Sequence, residues 1–117
     1  MSKRGFDLEE RTSEFSKTVI RLCKQLPEKI INRELIGQLV RASGSVGANY
    51  REANDALSKK DFRHRIKITR KEAKEAHYWL ELLLEANPEF EEQISNLLGD
   101  AVQLKKIFSS IVDKSCQ

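Results

Sequence analysis

The sequence predicts an all-α protein, an antiparallel up-down-up-down four-helix bundle with left-handed helix crossings. Three observations lead to this prediction. Four segments of the 117-residue chain carry apolar side chains at alternating spacings of three and four residues, the pattern of one helical face. The chain holds only 5 Gly and 2 Pro, too few for the many turns of a β-sandwich or barrel. Short connections join the segments, which favours antiparallel neighbours within a single domain spanning 1–117.

The first helix is predicted over about 7–26. Its seam of apolar and small side chains runs from Leu8 to Leu26 at four-three spacing. Asp7 is a suitable N-cap, because its carboxylate can accept a hydrogen bond from a free backbone N–H. Pro27 ends the helix, since a proline disfavours helical geometry in the residue before it.

The second helix is predicted over about 33–57, after Asn32 as a candidate N-cap. Its middle consists of small residues and includes Gly44 and Gly47. Each glycine inside a helix costs roughly 1 kcal/mol relative to alanine. We therefore expect a neighbouring helix to approach closely at this point; the alternative is a break in the helix at Gly44.

The third and fourth helices are predicted over about 59–86 and 88–113. Ser58 is the expected N-cap of the third, in a capping box completed by an acidic residue three positions later. Asn87 and Pro88 end the third helix and begin the fourth, with Asn87 as the N-cap of the fourth helix and Pro88 at its first position.

The net charge of +3 conceals an uneven distribution. Residues 58–74 hold eight basic and two acidic side chains, whereas 75–117 hold three basic and eight acidic ones. Six bases share one face of the third helix, and we call them the basic stripe: Lys60, Arg63, Lys67, Arg70, Lys71 and Lys74. This stripe is either a solvated helix face or a surface for nucleic-acid phosphates. We expect no aromatic stacking platform beside it, so sequence-specific reading of single strands is not predicted.

Two further groups of residues point to packing or assembly. A polar stripe on the second helix is either a solvated edge or a buried network that sets helix register: Arg41, Ser45, Asn49 and Glu52. Apolar side chains outside the seam of the third helix either fill the core or form an oligomer contact, which we favour: Tyr78, Trp79 and Leu82.

Catalytic, metal and cofactor sites are not predicted. His64 and His77 lack the Glu-x-x-His spacing of a di-iron bundle, and no nucleophile elbow, phosphate loop or dinucleotide fingerprint is present. Cys23 is interpreted as an ordinary half-buried or buried thiol. No apolar run approaches a membrane span and the N-terminus lacks an apolar signal segment, so we expect a cytoplasmic protein without a membrane partner.

Two motifs resemble those of a known family. The first is QLVRASGSVGANYREA over 38–53, and the second is SKKDF over 58–62 followed by RIKITRKEAKEA over 65–76 and YWL over 78–80. In this order they are similar to the bacterial four-helix bundle proteins of the 23S rRNA intervening-sequence protein family. The positions that match the motifs are Arg41, Ser43, Ser45, Asn49, Glu52, Asp61, Phe62, Arg65 and Glu72.

This resemblance implies a four-helix protomer that assembles into a ring-like homopentamer. It also implies a relationship to the accessory variability determinant of diversity-generating retroelements, which binds nucleic acid and a reverse transcriptase. We therefore expect a non-enzymatic, pentameric bundle that binds RNA or DNA backbones through the basic stripe. The alternative is a protein-interaction scaffold whose basic stripe docks an acidic partner.

Overall fold

A computed structural model describes the backbone of residues 3–115 and the side chains of residues 8–115. This part of the chain consists of four α-helices and contains no strand. A single 3-10 turn over Pro88–Phe90 precedes the last helix. The helices are α1 (Lys3–Gln25), α2 (Ile30–Asn54), α3 (Lys59–Ala86) and α4 (Glu91–Ser115). The predicted all-α class and the four predicted helices are thereby confirmed. The protomer measures 45 × 24 × 19 Å along its principal axes.

The helices pack around one core formed by the predicted seams. Phe108, Leu39 and Leu80 are among its largest fully buried side chains, and each comes from a different helix. Three seam positions are hydroxyl residues that are nonetheless fully buried: Thr12, Ser43 and Thr69. Each hydroxyl donates to a carbonyl three or four residues earlier in its own helix, at 2.9–3.2 Å. These bonds satisfy the buried oxygens, so polar seam residues do not interrupt the core.

Chain neighbours are also spatial neighbours. α2 packs against α1 and α3, and α4 packs against α3 and α1. Hydrogen bonds join the end of one helix to the beginning of another, which agrees with the antiparallel arrangement predicted: Asn54 with Glu9, and Gln25 with Gln93. The up-down-up-down topology and the left-handed crossings stay predictions.

α2 is continuous through its small residues, so the alternative of a break at Gly44 is wrong. A Cβ atom added at Gly47 would lie 3.2 Å from Oγ1 of Thr12 on α1. This distance is shorter than an ordinary van der Waals contact, so α1 approaches α2 too closely for a larger residue to enter without a shift. The close approach expected from the glycines is confirmed at Gly47.

Several helix ends differ from the prediction. α1 begins before Asp7, which therefore lies within the helix rather than at its cap. α2 begins at Ile30 after Lys29, so Asn32 is not the N-cap. Ser58 caps α3 as predicted, because its Oγ accepts a hydrogen bond from the Asp61 backbone N–H at 3.0 Å.

The side chains of the two asparagines predicted as caps bond to each other at one end of the bundle. Asn87 does stand at the predicted position before Pro88, but its side chain makes no capping hydrogen bond. Asn32 Nδ2 donates to Asn87 Oδ1 at 2.9 Å, and Asn87 Nδ2 donates to Asn32 Oδ1 at 2.8 Å. Asn32 also donates to the carbonyl of Pro27, and Asn87 to that of Leu83. Each residue is only 2% exposed. This pair therefore links the α1–α2 connection, the first turn of α2 and the end of α3.

Candidate nucleic-acid interface

The basic stripe lies on the side of α3 that faces away from the core. Thr69, Ala76 and Leu83 are buried on the opposite side of the helix. From Lys60 to Lys74 the stripe spans about 21 Å at the rise of an α-helix. Its position follows directly from helical periodicity, because burying one face of α3 exposes the other.

The members of the stripe differ in exposure. Four are exposed, namely Lys60, Lys67, Lys71 and Lys74, whereas Arg63 and Arg70 are half-buried. Among the residues described, Lys71 is the one stripe member within ion-pair distance of a carboxylate, at 3.6 Å from Glu75. A neighbouring pair, Arg65 with Asp61 at 3.9 Å, lies on α3 outside the stripe. Most of the positive charge of the stripe is therefore left for a ligand.

Arg63 has a contact within the protomer. Its Nη2 donates to the backbone carbonyl of Ser115 at 3.1 Å, at the C-terminal end of α4. A cation at this position satisfies a free carbonyl and interacts favourably with the helix dipole. Its Nε is buried and has no hydrogen-bond partner among the described residues. The arrangement makes Arg63 a link between α3 and α4, and the charge open to a ligand comes mainly from the lysines.

A shallow depression of about 340 Å³ lies toward the C-terminal end of the stripe. Its lining consists of Lys67, Arg70, Lys71, Lys74, Glu75 and Tyr78. Tyr78 is 53% exposed, and its ring makes a T-shaped contact with the Trp79 ring, with 5.1 Å between the centroids. The depression therefore combines several cations with one exposed aromatic ring.

The three residues predicted as an oligomer contact occupy different environments. Tyr78 is exposed, whereas Trp79 and Leu82 are half-buried. Trp79 packs against the core, and its Nε1 is buried without a hydrogen-bond partner among the described residues. Large apolar side chains are exposed elsewhere, at Ile20, Ile30, Ile31, Val40 and Leu57.

The polar stripe of α2 remains at the surface of the protomer. Arg41 is exposed and donates to Gln38 Oε1 at 2.8 Å, and Glu52 is also exposed. Asn49, half-buried like Ser45, donates to the Ser45 backbone carbonyl at 2.9 Å. Within one protomer these contacts are those of a solvated edge, one of the two alternatives that the sequence left open.

Groups with reactive chemistry are dispersed over the bundle. Burial raises the pKa of the Cys23 thiol to about 11, which keeps it protonated. The hydrogen bond from Arg21 lowers the pKa of Glu14 on the exposed side of α1. Within the described part of the chain, no group of three His, Cys, Asp or Glu side chains is placed to hold a metal ion. No helix there is long and apolar enough to cross a membrane.

Sequence reasoning missed the place of Tyr78 beside the basic stripe. The spacing contained the signal, because Tyr78 follows Lys74 by four residues and Lys71 by seven, which places all three on one face of a helix. The expectation of no aromatic platform beside the stripe did not take this ring into account: one exposed aromatic side chain borders the stripe.

Fold and surface together define a four-helix bundle with a basic face on its third helix. The family model of the 23S rRNA-intervening sequence protein matches residues 5–110, and the chain belongs to this family. It is also similar to a crystal structure of a protein of unknown function from the S23 ribosomal protein family of Bacteroides thetaiotaomicron VPI-5482. The two share 32% identity with a TM-score of 0.78, over 90% of this chain and 97% of the other. No curated protein matches the chain.

Proposed function

We propose that the protein is a non-enzymatic, cytoplasmic homopentamer that binds RNA or DNA backbones through the basic stripe of α3. The observation that carries this proposal is the row of exposed lysines along α3, most of them without a carboxylate partner among the described residues. Such a row can displace the counterions of a phosphate backbone without reading base sequence. The family description refers to intervening sequences of 23S rRNA, which agrees with a nucleic-acid ligand.

Assembly strengthens this proposal because one stripe is a weak binding site. Five linked copies would raise the effective concentration of the second and later contacts. The exposed apolar side chains of α1 and α2, such as Ile20 and Val40, support self-association, and the number five rests on the family resemblance. Light scattering at micromolar concentration tests the assembly: a mass of five protomers is expected, and a stable monomer would contradict it.

The binding test compares two triple variants that each remove three positive charges. The stripe variant carries Lys60→Gln, Lys67→Gln and Lys74→Gln. The control carries Lys24→Gln, Lys105→Gln and Lys106→Gln, all exposed residues on α1 and α4. Fluorescence anisotropy with labelled RNA and duplex DNA is measured from about 50 mM salt upward, where phosphate contacts are strongest.

The stripe variant should bind far more weakly than the control, although the two proteins have the same net charge. For duplex DNA, the slope of log affinity against log salt should fall in magnitude by about 2.7 for each protomer that contacts the duplex, since each lost phosphate contact removes about 0.9. Equal losses in both variants would show a diffuse charge effect and contradict the assignment to α3. The alternative function, a protein-interaction scaffold that docks an acidic partner, would be favoured by two results together. The protein would bind no polyanion, and a pull-down from nuclease-treated extract would recover one acidic protein.

A further inference from the structure

The depression at the end of the basic stripe has an aromatic ring on one side. Tyr78 lies one turn beyond Lys74 and two turns beyond Lys71, so its ring and the two ammonium groups share one face of α3. Its ring packs against the ring of Trp79 in a T-shaped contact, and Trp79 is itself packed on the core. An exposed ring supported in this way loses little conformational freedom when a flat ligand stacks on it.

The charge on this face of α3 changes sign at Tyr78. The helix continues with Glu81 and Glu85, which are both exposed. A phosphate backbone that follows the lysines would meet carboxylates beyond the ring, and like charges oppose its continuation. Tyr78 therefore stands where a bound strand is expected to leave the helix surface.

We infer that this depression binds an unpaired nucleotide, whose base stacks on Tyr78 while its flanking phosphates lie beside Lys71 and Lys74. The inference rests on the proposed function and specifies its ligand as single-stranded nucleic acid. In a duplex the bases stack on one another and cannot cover a protein ring, whereas bases of a single strand are free to do so. Every base has a π-face, so the contact favours single strands without selecting a sequence.

The test uses three labelled ligands with equal numbers of phosphates. They are a single strand without self-complementarity, an abasic strand that has the same backbone but no bases, and a duplex. Each is titrated at about 50 mM salt with the wild-type protein, Tyr78→Phe and Tyr78→Leu. The ratio of single-strand to abasic affinity is taken within each protein, so that a change in assembly or folding affects both terms.

The wild-type protein should prefer the single strand over the abasic strand by about 5-fold or more, the value of one stacked base. Tyr78→Phe should keep this ratio, and Tyr78→Leu should reduce it toward one without changing the affinity for duplex. A matched charge control, Lys74→Gln, should weaken all three ligands and leave a ratio above one.

Two outcomes would overturn the inference separately from the proposed function. Equal wild-type affinities for the single strand and the abasic strand would exclude stacking while leaving phosphate binding intact. A ratio that is unchanged in Tyr78→Leu would place the stacked base elsewhere. Failure of the wild-type protein to bind any of the three ligands would instead refute nucleic-acid binding itself.

Discussion

The buried pair formed by Asn32 and Asn87 offers a sharp test of what holds one end of the bundle together. Replacing Asn32 by alanine removes both hydrogen bonds of the pair and the bond to the Pro27 carbonyl. Asn87 keeps its bond to the Leu83 carbonyl, but its Oδ1 loses the amide that donates to it. Because Asn87 is only 2% exposed, water cannot readily replace this donor.

Leaving a buried polar group unsatisfied costs about 1–3 kcal/mol, and the lost bonds and the space left by the amide add to this. We therefore expect Asn32→Ala to lower the free energy of unfolding by about 2–4 kcal/mol. The double variant Asn32→Ala/Asn87→Ala should cost less than the sum of the single variants. It removes both partners and leaves no stranded amide, so a coupling energy of about 1–2 kcal/mol is expected.

The assay is urea unfolding followed by far-UV circular dichroism, at one fixed protomer concentration because assembly contributes to stability. Asn96→Ala is the matched control, since Asn96 is exposed on α4. Its effect should stay within about 0.5 kcal/mol. A loss for Asn32→Ala no larger than that of the control, or strict additivity in the double variant, would refute the reasoning.

Three further outcomes are expected. Gly37→Ala should stabilise the protein by about 0.5–1 kcal/mol, because there is open space around the added Cβ. In urea unfolding, Gly47→Ala should be at least about 1 kcal/mol less stable than Gly37→Ala. Equal stabilities of the two variants would contradict the close approach of α1. Arg63→Gln should lower the free energy of unfolding by about 1 kcal/mol, because it loses the hydrogen bond to the end of α4. Lys67→Gln should lower it by less than about 0.5 kcal/mol. Similar losses in the two variants would argue against the link between Arg63 and α4. With the other cysteine changed to serine, Cys23 should alkylate at pH 8 about 100-fold more slowly in the native than in the unfolded protein, because burial raises its pKa to about 11 and the reactive thiolate is scarce. The alkylation rate of the native protein should rise as the pH approaches that pKa. Equal rates in the native and unfolded proteins would contradict burial of the thiol.

The four helices could be predicted because the signal for each is local. α3 shows this well: a serine cap, an apolar seam and a stop at Asn87 gave 59–86, and the structure has Lys59–Ala86. The place of the basic stripe followed from the same periodicity. The beginning of α2 was predicted wrongly because an asparagine suited to a cap is equally suited to a buried amide pair, and its neighbours along the chain do not distinguish the two uses.

The sequence by itself determined the helical class, the seams and the face of α3 that carries positive charge, since each depends on spacing within one helix. Only the tertiary structure decided which polar groups meet across the bundle. Asn32 pairs with a residue 55 positions away, and Arg63 reaches a carbonyl 52 positions away at the end of α4. Packing also left Trp79 half-buried against the core and Tyr78 exposed, although the two are adjacent in the chain. The physical reason is that hydrogen bonding and burial depend on how helices are placed against one another, and that placement is a property of the whole core.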